Sequence, residues 1–315
     1  MTTLSEQVLA HWQVRKTKKQ KDAFIGFLRE QFPELQVEQG GFGNNKNLVL
    51  GDIASAKVIF TAHYDTCARM PVPNFIAPKN IAASLGYSLL LCIPTMLACI
   101  ICCCLLRLVT DHFWVSYWGS FLIGMGTLML LLTGGPPNPS TANDNTSGVV
   151  TLCELIQTLS PEERSKAAFV FFDNEENGML GSAFFARKHR KDNLKQKLLI
   201  NFDCVSDGDH FLLVQSKAAR VQWGKELQSA FSPMDGKQIH FEKALTTLNP
   251  SDQMNFTTAV GIMTMKYKKG IGLYQNRIHT VRDTVFQKEN IEYFVEHSHK
   301  LLGMIPAADT ITARK

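Results

Sequence analysis

The sequence predicts an α/β fold: a mostly parallel mixed sheet sandwiched by helices and interrupted by a two-helix transmembrane hairpin. Three observations lead there. Short continuous apolar runs alternate with segments of helical period, two long stretches carry no charge, and His, Asp and Glu recur just after the apolar runs. Continuous apolar strands between helices belong to parallel sheets covered on both faces, where sites form at the carboxyl edges of the strands.

In order along the chain, residues 22–32 read as a helix, with Phe24, Phe27, Leu28 and Phe32 on one face. Residues 47–50 and 57–61 read as strands. A helix over 146–159 opens at Asn145 or Thr146 and closes before Ser160-Pro161. Strands over 167–172, 198–203 and 211–215 alternate with helices over 179–188, 218–231 and 290–302.

Ile81–Leu106 and Phe113–Thr133 are free of charge and long enough to cross a bilayer, which takes about 20 apolar residues as a helix. Six residues join them, so they form an antiparallel hairpin. Trp114, Tyr117 and Trp118 stand where interfacial aromatics belong, Ser120 and Gly124 allow close helix approach, and Pro94 kinks the first span. A pair of buried core helices is the plainer reading. With two spans, residues 1–80 and 134–315 lie on one side as a single discontinuous domain, and 81–133 is the insertion. Arg69, Lys79 and the N-terminal basic run against a lone Arg107 in the hairpin loop favour an integral membrane protein with its main domain in the cytoplasm.

A net charge of +5 without a basic stripe interleaved with aromatics argues against nucleic acid as partner. The cluster Arg15-Lys16-Thr17-Lys18-Lys19-Gln20-Lys21 reads as a solvated helix face, or as an attraction to anionic lipid. The polar start contains no apolar stretch of a secretory signal. Of eight cysteines, five (Cys92, Cys99, Cys102, Cys103, Cys104) share one apolar run, while Cys67, Cys153 and Cys204 are isolated. Their spacing suggests neither a zinc framework nor a disulfide-stapled secreted domain, and fits reduced thiols.

Five stretches carry the chemistry: TAHYDT (61–66), TANDNTSG (141–148), DNEENG (173–178), NFDCVSD (201–207) and RIHTVRDT (277–284). His63, Asp144, Glu176, Asp203 and His279 are the nitrogen and oxygen donors that suit a divalent ion such as zinc. A carboxylate shared by two ions would let so many acids converge, since two dications offset their charge. Singly, each stretch has a plainer reading: a satisfied histidine, a helix cap at Asp144, or a first-turn pair at Glu175 and Glu176. Asp173 reads as a strand-end or turn residue.

Together, and in this order from about Lys57 to Asp283, these stretches resemble the co-catalytic di-zinc aminopeptidases, a family that includes bacterial leucyl aminopeptidases, aminopeptidase Y and relatives of glutamate carboxypeptidase. The resemblance implies the zinc exopeptidase fold, two Zn2+ ions and a peptide substrate. It implies Asp144 as the carboxylate bridging both ions, one ion held also by Glu176 and His279, the other by Asp203 and His63. Glu175 would be the general base and Asp65 the carboxylate orienting His63. Ser251-Asp252 matches a segment expected to be structural.

The chain departs from the pattern in two places. Val281 or Arg282 stands where the family has proline, and the membrane hairpin separates Asp65 from Asp144 where a short loop is usual. Ten residues, 134–143, separate Thr133 from Asp144, a reach of at most roughly 35 Å. The site therefore lies near the bilayer, with a membrane-proximal peptide as the expected substrate. Tyr274 and Arg277 line the substrate pocket or a surface loop. The competing functions are a glutaminyl-cyclase-like acyltransferase on the same fold with one zinc, and a catalytically inactive membrane scaffold.

Overall fold

The computed structural model describes residues 3–70 and 74–306. In chain order the elements are α1 (Leu4–His11), α2 (Lys18–Gln31), β1 (Gln36–Gly40), β2 (Asn45–Leu50), β3 (Val58–His63), α3 (Ile81–Arg107) and α4 (Phe113–Thr133). After the hairpin come α5 (Thr146–Thr158), α6 (Pro161–Lys166), β4 (Ala167–Phe172), α7 (Leu180–Lys188), β5 (Leu198–Phe202), β6 (His210–Gln215), α8 (Lys217–Ala230), β7 (Gln238–Lys243), β8 (Ala259–Lys268), β9 (Gly272–Tyr274) and α9 (Lys288–Met304).

One mixed sheet runs in the order β1-β2-β4-β3-β5-β8-β6-β7, with β9 paired to β8. The central strands β4, β3, β5 and β8 are mutually parallel; β2 and β6 join them antiparallel from either side. Alternate residues of the central strands serve two cores. Val58 and Phe60 of β3, with Phe169 and Phe171 of β4, face the layer of α1, α2, α5, α8 and α9. Ile59, Val170 and Phe172 face Phe185 of α7. Burial on both faces is why these strands read as unbroken apolar runs.

β4 and β5 lie on opposite sides of β3, so successive crossovers diverge from it and open a crevice at its carboxyl end. His63 ends β3, and the acidic stretches after β4 and β5 border the same edge.

Helices α3 and α4 pack against each other, and no residue of α3 is buried. Their close approach has a steric reason: a Cβ on Gly124 would lie 2.0 Å from the Cys99 sulfur, and Ser120 is 3 % exposed. Leu89, Leu97, Ile101, Trp114, Leu122 and Leu130 are each more than half exposed, so the hairpin leaves many large apolar side chains uncovered.

The basic run is not one solvated face. Thr17 caps α2, so the helix begins within the run, and Lys18 and Lys19 are exposed. Arg15, however, is fully buried, and Lys21 pairs with Asp173 at 2.6 Å.

Candidate metal centre

Each site residue is held by backbone geometry before any cation is considered. The Nδ1–H of His63 donates to the carbonyl of Asp65 at 3.0 Å; a carbonyl only accepts, so Nδ1 carries a proton and Nε2 is the nitrogen turned toward Asp144 and Asp203. The Asp65 carboxylate, the expected orienting group, pairs with the same nitrogen at 3.7 Å. That carboxylate has another task. Its Oδ1 and Oδ2 accept the amides of Glu175 and Glu176 at 3.0 and 3.2 Å, so one side chain fixes the turn that presents both glutamates.

Asp144 is not the helix cap; Asn145 is, its Oδ1 accepting from Gly148 N at 3.0 Å. The Asn145 amide also donates to the carbonyl of Phe202 at 2.9 Å, binding the start of α5 to the end of β5. Asn143 Oδ1 accepts the amides of Ser206 and Asp207, and the carboxylate of Asp283 accepts those of Asn143 and Asp144, both at 2.9 Å. Asn143 and Asp283 lie inside stretches the sequence singled out, yet their supporting role depends on contacts that a motif does not display.

His63, Asp144, Glu176, Asp203 and His279 converge. His63 Nε2 lies 3.4 Å from Asp144 Oδ1 and 3.7 Å from Asp203 Oδ1. His279 Nε2 lies 3.0 Å from Asp144 Oδ2 and 3.5 Å from Glu176 Oε2. The two oxygens of Asp144 thus face different histidines. His279 adopts φ 60°, a left-handed conformation uncommon for a residue other than glycine, and its carbonyl accepts from Met70 N at 2.8 Å.

The electrostatics match this crowding. Burial pushes Glu175 well above its usual range, opposed by His63 and reinforced by Glu176, and it raises Glu176 to about 8. Burial lowers the pKa of His279, but Glu176 and Asp144 outweigh it and raise the group to about 10. Asp144, although buried, is held below its usual range by the two histidines. Positive charge at the imidazoles balances the acids here, and dications would supply the same balance. Buried Glu176 Oε1 has no hydrogen-bond partner among the described residues. With that orphaned oxygen, five convergent nitrogen and oxygen donors and a carboxylate facing two ways, the residues fit zinc.

Other sequence candidates fall nearby or aside. Asp173 is buried at the end of β4, accepting from Lys21 Nζ and from Lys46 N, so it braces the strand end. Asp252 is buried, and Ser251 Oγ accepts from Asn201 Nδ2 at 3.0 Å. Arg277 is engaged by Asp207 at 3.0 Å, and Tyr274 stacks on Phe75.

Comparison with known proteins decides the family. The model for "Peptidase family M28" matches residues 125–300, more than half of the chain. The chain belongs to peptidase family M28. It is accordingly a hydrolase of the zinc metallopeptidase class. The M28 match begins inside α4 and leaves out β3; the sheet then brings His63 to the acids that the match contains.

Solved structures share the M28 fold. The LapA aminopeptidase of Legionella pneumophila is 13% identical, with a TM-score of 0.56 over 95% of this chain and 68% of that one. A Zn-dependent exopeptidase from Parabacteroides distasonis is 13% identical, TM-score 0.54, covering 95% and 97%. A glutaminyl cyclase from Porphyromonas gingivalis is 16% identical, TM-score 0.54, covering 95% and 96%. The search of curated proteins found no match to the sequence.

Proposed function

We propose that this M28 protein is a membrane-anchored aminopeptidase that uses two zinc ions and a glutamate base. The observation that carries the reading is Asp144, with one oxygen toward His63 and the other toward His279. In this reading Asp144 would be shared by the two ions, with Glu176 and His279 holding one and Asp203 and His63 the other. The ions, when bound, polarise a peptide carbonyl and depress the pKa of water. Asp65 holds Glu176 for the metal and its neighbour Glu175 for proton transfer through adjacent amides. Glu175 takes the proton of the attacking water and returns it to the leaving amine.

Membrane anchoring is supported by α3 and α4, both long and apolar enough to span a bilayer. Residues 1–80 and 134–315 then form one discontinuous catalytic domain around the 81–133 hairpin. Thr133, the last residue of α4, lines the same small cavity as Asp65 and Glu176, which supports a site beside the bilayer surface and a membrane-proximal peptide substrate. Leu245, 95% exposed, shares a groove with Ile81 and Leu85 of α3, so this loop extends the lipid-facing surface. Exposed Arg69 and Lys79 flank the spans on the domain side against Arg107 on the other, favouring a cytoplasmic domain.

The test is a panel of aminoacyl reporters and free or N-acetylated peptides. Cleavage of free peptides alone, loss of activity with a chelator, and a fall in turnover of about 10²–10⁴-fold in Glu175→Gln with both ions retained are the expected results. Equal cleavage of acetylated peptides would overturn the exopeptidase direction. The glutaminyl cyclase neighbour supports a second reading, which predicts one ion and cyclisation of N-terminal glutamine without release of an amino acid.

A further inference from the structure

We infer that Cys67 is an additional, thiolate ligand of the ion held by Glu176 and His279, so that the two metal positions differ in chemistry. This rests on the two-ion reading above. The sulfur of Cys67 and ligand atoms of Glu176 and His279 all lie within 4.8 Å of one another. Cys67 is 2% exposed, and Glu176, a member of the same group, has a buried Oε1 without a hydrogen-bond partner among the described residues, an acceptor left over for a cation.

The thiol is fixed there by its surroundings. Asn138 Nδ2 donates to Cys67 Sγ at 3.8 Å, and Asn138 N donates to the Cys67 carbonyl at 3.2 Å. Beside it Arg69 N bonds Pro136 O, and Met70 N bonds the carbonyl of His279, both at 2.8 Å. The loop after β3 is therefore tied directly to the loop that carries His279, and the two ligands keep their spacing without help from an ion. The donors would then be Cys67 Sγ, a carboxylate oxygen of Glu176, an imidazole nitrogen of His279 and, beside His279, Asp144 Oδ2. Sulfur, oxygen and imidazole donors in fourfold coordination are a normal zinc set. On binding, the sulfur–metal bond forms as the S–H bond breaks and its proton leaves to solvent. Four protein donors would suffice for one ion, which would leave the position open to water or substrate on the His63 side. Cys204 behaves differently: its thiol donates to Asp203 Oδ1 at 3.0 Å and so remains a hydrogen-bond donor to a ligand.

The experiment is cobalt titration of the full-length apoprotein in detergent, read by absorption. The expected result is two cobalt ions bound and a near-ultraviolet sulfur-to-cobalt charge-transfer band that grows with one of them. The band should persist in Cys204→Ser and after serine replaces the five α3 cysteines, and vanish in Cys67→Ser. In Cys67→Ser one of the two dissociation constants should rise at least the roughly 10-fold that follows loss of even an outer partner of a ligand. If Cys67→Ser does not fold, the protein lacking Cys204 and the α3 cysteines decides, because Cys67 and Cys153 alone remain and Cys153 is buried within α5. Two cobalt ions without the band, or a band surviving Cys67→Ser, overturns the proposal and leaves the two-ion reading standing. Binding of fewer than two ions overturns both.

Discussion

Arg15 illustrates what a single residue contributes to this site from outside it. Its Nε donates to the carbonyl of Tyr64 at 2.5 Å, its Nη1 to the carbonyl of Trp12 and to Thr146 Oγ1, and its backbone N–H to Thr66 Oγ1. The guanidinium lies 5.0 Å from the centre of the Phe24 ring. Burial lowers its pKa to about 10, against the pull of Asp65. One planar fork therefore joins the chain after α1, the loop after His63 and the first turn of α5. Arg15→Ala should lower unfolding free energy by about 3 kcal/mol, seen as a lower denaturant midpoint, because several buried acceptors lose their donor. Arg15→Lys should recover part of that loss, since an ammonium keeps the charge and not the fork. In the sequence Arg15 is one of five basic residues in a row of seven, and composition suggests solvent. Two of the partners that hold its guanidinium are backbone carbonyls, which no side-chain pattern reveals.

At the scale of elements, the central strands β3, β4 and β5 and the helices beside them were legible because burial on both faces leaves continuous apolar runs. The sheet margins were not. β1 reads QVEQG and β7 reads QIHFEK, and partly exposed edge strands carry polar residues that suit solvent and discourage pairing with other chains. β8, although central, was missed too. Its second core position is followed by Gly261, where a Cβ would come within 2.6 Å of Asn249 Nδ2 and 2.8 Å of Gln253, so packing demands a residue that weakens the strand signal. The edge strand β1 is secured by a charged clasp. His189, capping α7, reaches Glu38 at 3.0 Å and Asp192 at 2.6 Å. Burial lowers the His189 pKa, but Glu38 and Asp192 raise it above 6.5; burial raises Glu38, but His189 and Lys188 bring it below 4.5. The histidine's contribution is complete below its unfolded pKa and disappears as pH rises through the higher folded value. The glutamate's is complete above its unfolded pKa and disappears as pH falls through the lower folded value. The clasp is therefore strongest between about pH 4.5 and 6.5. The melting temperature should decline from about pH 6.5 to 8.5 more steeply in the native protein than in His189→Gln.

Across the whole molecule, the hairpin and the metal centre are neighbours by chain connectivity and by space. The stretches that converge on the site were readable because metal chemistry restricts residue types severely. The partners that hold them, Asn143, Asn145 and Asp283, became evident only with the loops assembled. Replacing residues 81–133 by a short linker should preserve turnover of a soluble aminoacyl reporter and lower cleavage of peptides anchored in vesicles. Equal activity on both would show that proximity to lipid confers nothing.

The strand order carries a consequence for synthesis. β3 pairs with β4 and β5, and β2 pairs with β4; both partners are translated only after the two apolar helices have left the ribosome. The first 80 residues can close the small β1–β2 ribbon and nothing more of the sheet. His63 must wait for Asp144, Glu176, Asp203 and His279, all of which follow the two apolar helices in the chain. Hydrolytic competence is thereby timed to follow synthesis of both helices, and a nascent chain released early carries no assembled centre with which to attack its neighbours.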